Sequence, residues 1–288
     1  MDEVFRELTE DVIARMKNGE PRLREVMTLL VRHFHAFLRE AALTQDEWRT
    51  GIDFLTRTGQ MCSESRQEFI LLSDILGVSM LVDAIANQAG QGITESTVLG
   101  PFYAGPQREL NKGDTILLRE ENGAPLVMKG RVANESGVPI VGAKVEVWQT
   151  AINQLYDVQD HDQPRGHLRA TFRTDERGEY EFRTVLPVSY PIPSDGPAGQ
   201  LLQRLGRHPF RPAHIHFMIS APRYRTLVTH LFLAGDKYLE SDAVFGVKPS
   251  LIVGPERNND VHTVKYDFGL AGDSFAVSRG QMGVGFKT

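Results

Sequence analysis

One stretch decides the fold class of the longer part of the chain: Leu168-Arg-Ala-Thr-Phe-Arg173, then Asp175-Glu-Arg-Gly178, then Tyr180-Glu-Phe-Arg-Thr-Val185. β-Branched and aromatic residues take alternate positions on both sides of a polar turn that contains glycine, as half-buried strands require. The same texture recurs in five further segments after Gly90, which we predict to be strands: 126–132, 144–148, 214–219, 227–233 and 261–268. The chain after Gly90 is therefore predicted to be β-rich.

The first ninety residues carry apolar side chains every three or four positions, which is the period of an α-helix. Examples are Val4, Phe5, Leu8, Val12 and Ile13, followed by Leu23, Val26, Met27, Leu30, Phe34 and Leu38. Thr44 with Glu47 matches the capping box that begins many helices. We predict four helices here, the last of them a buried helix over residues 69–86.

Helices followed by short strands indicate an α+β fold. We predict a helical N-terminal domain over residues 1–100, acting as a linker or dimerisation domain, and an antiparallel β-sandwich domain over residues 101–288. The helices could bury their apolar faces against the sandwich or against a second subunit, and periodicity does not distinguish these arrangements.

The composition is that of an ordinary globular protein, with 41% hydrophobic and 24% charged residues among 288. The formal net charge of −5 provides no basic field, so neither nucleic acid nor an anionic bilayer is an expected partner. The single cysteine, Cys62, excludes an intrachain disulfide and a thiolate-built metal site and favours a cytoplasmic location. Asp74 and Asp83 interrupt the most apolar stretch, so we expect no membrane insertion.

The clearest chemical signal is Arg211-Pro-Ala-His-Ile-His216. Side chains two apart on a strand point to the same face, so His214 and His216 could bind one metal ion. The pair alone is ambiguous, because His-x-His also occurs by chance on exposed sheets. A zinc or ferrous site would usually add a carboxylate, and spacing does not choose among four candidates: Asp157, Asp160, Asp162 and Asp195.

Two tyrosines have unusual sequence contexts. Tyr156 follows a predicted strand that ends in Val-Trp-Gln, and Tyr190 precedes Pro191, which favours an extended backbone. A trivalent ion stabilises the phenolate anion, so a set of tyrosines and histidines would suit ferric iron. The alternative is that both tyrosines are ordinary packing residues of a β-domain.

Four motifs occur in order along the chain: Thr94-Glu-Ser-Thr-Val-Leu-Gly-Pro-Phe-Tyr103, Val147-Trp-Gln with Tyr156-Asp157, Tyr190-Pro-Ile-Pro-Ser-Asp-Gly-Pro197, and Arg211-Pro-Ala-His-Ile-His-Phe217. Together they resemble the intradiol ring-cleavage dioxygenases of the catechol and hydroxyquinol group over nearly the whole chain. The resemblance implies a cofactor, Fe(3+), held by four ligands: Tyr156, Tyr190, His214 and His216. It also implies that Arg211 lies beside the substrate and that Tyr190 leaves the iron and acts as a general base.

The implied reaction is cleavage of an aromatic 1,2-diol by O2, with both oxygen atoms entering the product. The run Leu76-Gly-Val-Ser-Met-Leu-Val-Asp-Ala-Ile85 resembles the hydroxyquinol branch of the family. We therefore expect conversion of hydroxyquinol (benzene-1,2,4-triol) to 3-hydroxy-cis,cis-muconate and maleylacetate, as a step in the breakdown of aromatic compounds. Conversion of catechol to cis,cis-muconate is the alternative.

The third hydroxyl of hydroxyquinol must be met by a polar group in the pocket, and Asp83 is the candidate. The resemblance places further residues around the substrate ring: Leu81, Val98, Leu99, Gly100, Pro101, Phe102, Ile192, Pro193 and Arg211. Each of these could equally be a core-packing residue. His230 stands where catechol enzymes tend to carry glutamine, and we assign it no role.

The resemblance also implies a homodimer formed through the N-terminal helices, with a lipid possible at the dimer interface. Two other functions stay open. Residues 127–148 also resemble prealbumin-like β-sandwich modules that bind ligands without catalysis. His214 and His216 with a carboxylate could instead form the site of a zinc hydrolase.

Overall fold

Helices form the N-terminal part of the chain, as predicted. The computed structural model describes residues 2–63, 66–87 and 90–273. Five helices precede the first strand in these residues: α1 Asp2–Ala14, α2 Pro21–Glu40, α3 Gln45–Gln60, α4 Glu68–Ile75 and α5 Val78–Ala86. The chain forms two compact units that divide between Thr56 and Arg57.

The capping box at the start of α3 is confirmed. The backbone N–H of Thr44 donates to Glu47 Oε2 at 2.9 Å, and the backbone N–H of Glu47 donates to Thr44 Oγ1 at 3.3 Å. This reciprocal pair satisfies two backbone donors that the first turn of a helix leaves free.

The single buried helix predicted over residues 69–86 is wrong. Gly77 has φ +73°, and it ends α4 and starts α5 at an angle of 79° between the two helices. A continuous apolar run hides this break, because only the left-handed backbone of the glycine reveals it. Leu71, Leu72 and Ile75 of α4 are buried, whereas α5 buries none of its residues. Among the described helices none is by itself long and apolar enough to cross a membrane, although α4 and α5 meet that test as a bent pair.

Within the described residues, the strands form two five-stranded sheets and one short pair. The first sheet contains β1 Pro125–Asn134, β4 Glu179–Val185, β10 Glu256–Asn258, β11 Val261–Lys265 and β12 Phe268–Leu270. The second contains β2 Lys144–Trp148, β3 Arg169–Arg173, β7 His214–Ser220, β8 Leu227–Leu233 and β9 Ile252–Val253. The short pair is β5 Tyr190–Pro191 with β6 Phe210–Arg211. Helix α6 (Pro197–Arg204) and the 3₁₀ turn η1 (Pro249–Leu251) lie in the connections.

The expectation of wholly antiparallel sheets is wrong, because both large sheets are mixed. Strand β1 pairs antiparallel with β4 but parallel with β11 and β12, and β8 pairs parallel with β9. Alternating apolar residues report which face of a strand is buried and carry no information about strand direction. The predicted strand over 261–268 is divided into β11 and the start of β12.

The two large sheets share one apolar core. Phe172 on β3 stacks with Phe182 on β4 at 5.4 Å between ring centroids, and Phe217 on β7 meets Phe268 on β12 at 4.9 Å. These rings are at most 1% exposed. The core therefore fixes the position of β7, on which the two candidate histidines lie.

Candidate active site

Strand β7 brings His214 and His216 to one face, as their spacing predicts. His216 lies opposite Trp148 of β2 on one side and opposite His230 of β8 on the other. His214 Nδ1 donates to the carbonyl of Pro212 at 2.7 Å, which leaves Nε2 as the nitrogen with a free lone pair. The two Nε2 atoms lie 3.1 Å apart.

Both candidate tyrosines meet these histidines. Tyr156 lies in the loop after β2, and Tyr190 begins β5, opposite Arg211 of β6. The Tyr156 hydroxyl is 2.9 Å from His216 Nε2 and 3.2 Å from the Tyr190 hydroxyl, which is 3.5 Å from His214 Nε2. Together with the 3.1 Å between the imidazoles, these distances close a ring of four donor atoms.

Burial determines the protonation of all four groups, each of which is at most 3% exposed. It lowers the pKa of His214 and of His216 well below the usual range, and neighbouring positive charge lowers both further. It raises the pKa of the Tyr156 and Tyr190 phenols, against which the Arg211 charge acts. Neutral imidazoles are the form that binds metals, and phenols of this kind ionise when a cation compensates the charge.

The four donors fit one metal ion. Ligand atoms about 2.0–2.2 Å from a first-row ion lie roughly 3 Å from one another, which is the spacing in this ring. His230 brings a third imidazole, whose ligand atom lies within 4.8 Å of those of His214 and His216. His230 lies outside the ring of four donors, because its Nδ1 is 3.3 Å from Arg211 Nη2 and neither of its ring nitrogens is hydrogen-bonded to a tyrosine hydroxyl in the described structure.

Arg211 is fixed beside the donor ring. Its Nε and Nη2 bind the two carboxylate oxygens of Asp242 at 3.1 and 3.2 Å, and its Nη1 lies 3.3 Å from His214 Nε2. Burial alone would lower the pKa of this guanidinium, but Asp242 and the tyrosines outweigh burial and raise it. Arg211 is therefore a permanent, immobile cation next to Tyr190.

A cavity of about 520 Å³ opens beside the site. Its lining includes Val98, Leu99 and Gly100 from the predicted pocket set, together with Asp83. Gly100 has φ +75°, and a Cβ atom there would lie 3.3 Å from His216 Cε1. The absence of a side chain at residue 100 therefore keeps this wall of the cavity close to the imidazole.

The other predicted pocket residues lie elsewhere in the described structure. Phe102 stacks on the Tyr156 ring at 4.6 Å, and Ile192 is buried just after β5. Leu81 is 62% exposed on α5. These residues and the half-buried Pro101 and Pro193 lie outside the described lining of the 520 Å³ cavity.

Known proteins resemble this chain over most of its length. Family models described as "Catechol dioxygenase N terminus" and "Dioxygenase" match residues 20–94 and 98–272. The chain is 49% identical to a 6-chlorohydroxyquinol 1,2-dioxygenase of Cupriavidus pinatubonensis, over 91% of this chain and 96% of that protein. It is 48% identical to a hydroxyquinol 1,2-dioxygenase of a Rhizobium species, over 92% and 90%. The chain belongs to the intradiol ring-cleavage dioxygenase family.

A solved structure extends the likeness to three dimensions. The hydroxyquinol 1,2-dioxygenase of Pseudomonas putida DLL-E4 superposes with a TM-score of 0.89 at 45% identity and covers 95% of this chain and 100% of its own. The fold of this dioxygenase is therefore shared with that enzyme over 95% of the chain.

Two residues of this dioxygenase site were not predicted from the sequence. Asp242 anchors Arg211, and it also accepts hydrogen bonds from the backbone N–H groups of Val244 and Gly246. Asp74 of α4 lines the same cavity as Asp83, and burial raises the pKa of its carboxyl group. In the sequence Asp74 is a charge that interrupts an apolar run, and a charge within such a run is the signal that could have identified it.

Proposed function

We propose that Tyr156, Tyr190, His214 and His216 bind Fe(3+) and that the protein cleaves hydroxyquinol with O2. The ring of four donor atoms carries this proposal, because its distances suit a single shared ion. Two phenol oxygens favour a hard trivalent ion over zinc, since their anions offset its charge. A bound ferric ion would supply Lewis acidity and positions for the two adjacent oxygens of an aromatic diol.

The residues of the chain then have distinct tasks. The hydrogen bond of His214 to Pro212 fixes its ring so that Nε2 points at the other donors. Tyr190 accepts a proton from a substrate hydroxyl as general base, and the nearby Arg211 favours a phenolate at that position before the transfer.

Arg211 also acts on the substrate ring. Its guanidinium is held by Asp242 and cannot turn away, so it stabilises negative charge that develops on the diol as oxygen adds. The balanced reaction adds both atoms of O2 to benzene-1,2,4-triol and gives 3-hydroxy-cis,cis-muconate, which is the enol form of maleylacetate.

Hydroxyquinol is the proposed substrate because the three named proteins are hydroxyquinol or 6-chlorohydroxyquinol 1,2-dioxygenases, and because the cavity has a polar wall. Asp83 is the predicted partner of the third hydroxyl, but its carboxylate already accepts from Lys248 Nζ at 3.2 Å and Asn87 Nδ2 at 2.9 Å. Asp74 is a second candidate, and no salt bridge engages it among the described residues. Catechol lacks this hydroxyl and would not make the additional hydrogen bond to the carboxyl group.

Absorption spectra and oxygen uptake test the proposal. Iron-loaded protein should absorb visible light through phenolate-to-iron charge transfer and should consume O2 faster with benzene-1,2,4-triol than with catechol. Y156F should weaken and shift the absorption and reduce turnover. The control is Y180F, which removes the hydroxyl of a buried tyrosine that bonds the Tyr266 carbonyl at 2.8 Å, outside the donor ring.

Each of three outcomes would contradict a different part of the proposed function. A protein that stays colourless after iron loading and binds zinc instead would favour the hydrolase alternative. A preference for catechol would overturn the substrate assignment and leave the iron site standing. Equal effects of Y156F and Y180F would remove the ligand role of Tyr156.

We also propose a homodimer formed by the N-terminal domain of residues 1–100, with the catalytic domain in residues 101–288. Exposed apolar side chains on α2 support this: Leu23, Val26, Leu29, Leu30, Phe34 and Phe37. Sedimentation at low concentration should give a dimer, and a monomer would contradict it. Mass spectrometry of an organic extract would show whether a lipid accompanies the protein.

A further inference from the structure

A buried ion pair lies behind Tyr156, between strand β3 and the loop that carries Tyr156. Arg169 on β3 donates from Nε to Asp157 Oδ1 at 2.5 Å, and the two side chains are 2% and 3% exposed. Asp157 Oδ2 accepts a second hydrogen bond from the backbone N–H of Gly166 at 2.8 Å. Both residues lie outside the described lining of the 520 Å³ cavity.

The Arg169 guanidinium lies over the ring of one of the two candidate tyrosines, Tyr156. Arg169 Cζ lies 5.6 Å from the centroid of the Tyr156 ring, over its face. Strand register fixes this placement, because Arg169 pairs with Trp148 at the end of β2 and Tyr156 follows in the next loop. Phe102 also stacks on the Tyr156 ring, so that ring is held by aromatic and cationic contacts together.

Packing alone does not explain a buried arginine here. Arg169 Nη2 is buried and has no hydrogen-bond partner in the described structure. A buried cation with an unpaired donor is unfavourable, and apolar side chains of similar volume are often at least as stabilising. The cost is offset if the charge acts on a neighbouring anion.

We propose that Arg169, held by Asp157, is a positioning residue that orients Tyr156 and stabilises its phenolate as a metal ligand. This inference rests on the proposed function, because it takes Tyr156 as a ligand of Fe(3+). The geometry supports this role, because the Arg169 guanidinium lies over the face of the Tyr156 ring and Asp157 holds it there.

The structure thereby assigns one arginine–aspartate pair to each tyrosine. Arg211 with Asp242 lies beside Tyr190 and borders the reacting groups, whereas Arg169 with Asp157 lies behind Tyr156 and away from them. Charge at Arg169 makes the Tyr156 phenolate a weaker electron donor. Removing the Arg169 charge should therefore lower the energy of charge transfer from the Tyr156 phenolate to iron.

The test uses iron-loaded full-length protein and three variants. In R169Q/D157N both charges are removed, so no buried carboxylate is left unpaired, while R169K keeps the charge and loses the planar group. We expect the visible band of R169Q/D157N to move to longer wavelength and its iron affinity to fall about 10–100-fold, as for other groups that orient metal ligands. R169K should keep the wild-type band position. D157N should move the band to shorter wavelength, because it removes the opposing negative charge.

Other outcomes overturn the inference. If R169Q/D157N melts at a lower temperature but keeps the wild-type band and iron affinity, the pair is only structural. If R169K shifts the band as far as R169Q/D157N does, shape rather than charge matters. In a Y156F background the R169Q/D157N change should no longer move the band that remains, and a persistent shift would contradict action through Tyr156. Wild-type protein without any visible band would instead refute the proposed function itself.

Discussion

Arg211 and Asp242 form a two-point ion pair that is buried on both sides, with Nε–Oδ1 at 3.1 Å and Nη2–Oδ2 at 3.2 Å. Asp242 receives two backbone N–H groups as well, so its carboxylate is locked in place. This arrangement holds the guanidinium next to His214 and Tyr190, where the proposed chemistry requires a fixed cation.

Replacing Asp242 should impair both stability and catalysis. D242N leaves the Arg211 charge buried without its partner, and breaking such a pair costs about 3–5 kcal/mol of unfolding free energy. Urea unfolding and oxygen-uptake kinetics measure the two effects. E109Q is the control, because Glu109 pairs with Arg173 at an exposed site and should lose only about 0–1 kcal/mol. A D242N protein as stable and active as wild type would contradict the anchoring role.

A methyl group at residue 100 should disturb the metal site. In G100A the new Cβ would lie 3.3 Å from His216 Cε1, at a backbone φ of +75°. We expect weaker iron binding in addition to a loss of about 1–2 kcal/mol for the left-handed backbone. G105A separates the two effects, because Gly105 has φ +77° and no described atom within 4 Å of the point that the new methyl group would occupy. Equal iron content in both variants would show that the close contact with His216 is unimportant.

His230 should be dispensable for metal binding even though it lies among the histidines. Its Nδ1 accepts from Arg211, so H230Q can replace it by an amide oxygen that accepts the same hydrogen bond. We expect H230Q to keep its iron content and visible band, whereas H214Q loses both. Metal analysis after dialysis and the absorption spectrum provide the comparison. Loss of iron in H230Q to the extent seen in H214Q would favour a site of three histidines.

The Asp74 carboxyl group should be costly for stability and useful for selectivity. Burial raises its pKa above the usual value, so the folded protein binds this proton more tightly than the unfolded chain does. Stability therefore falls as pH rises from the unfolded pKa through the raised folded pKa, because the carboxylate must ionise while buried. D74N removes this cost, so its stability advantage over wild type should grow with pH across that window.

Whereas the stability of D74N should increase, its selectivity for benzene-1,2,4-triol over catechol should decrease. D74N should prefer benzene-1,2,4-triol over catechol less strongly than wild type, since the wall loses its carboxyl group. D83N is the variant to compare with D74N, because the Asp83 carboxylate, unlike that of Asp74, already forms a salt bridge with Lys248 in the described structure. Unfolding curves at several pH values and the ratio of kcat/KM for the two substrates measure both effects. A pH-independent difference in stability, or an unchanged substrate ratio, would refute the corresponding half of the prediction.

Periodicity was enough to predict the helices before Gly90 and most of the strands after it, because the repeat of apolar residues reflects which face is buried. It was also enough to expect His214 and His216 on one face of a strand, since strand geometry is local. The break at Gly77 and the parallel pairing of β11 and β12 with β1 were not predicted, because a backbone dihedral angle and the direction of a neighbouring strand leave no trace in that repeat.

The identity of the candidate donors came from short motifs in the sequence, including both tyrosines that lie far from the histidines along the chain. Only the tertiary structure decided that their four donor atoms meet within 3.5 Å of their neighbours. It alone revealed that Asp242 holds Arg211 and that Arg169 with Asp157 lies behind Tyr156. The physical reason is that ion pairs and metal ligands depend on distances set by sheet packing, which brings together residues between 12 and 60 positions apart.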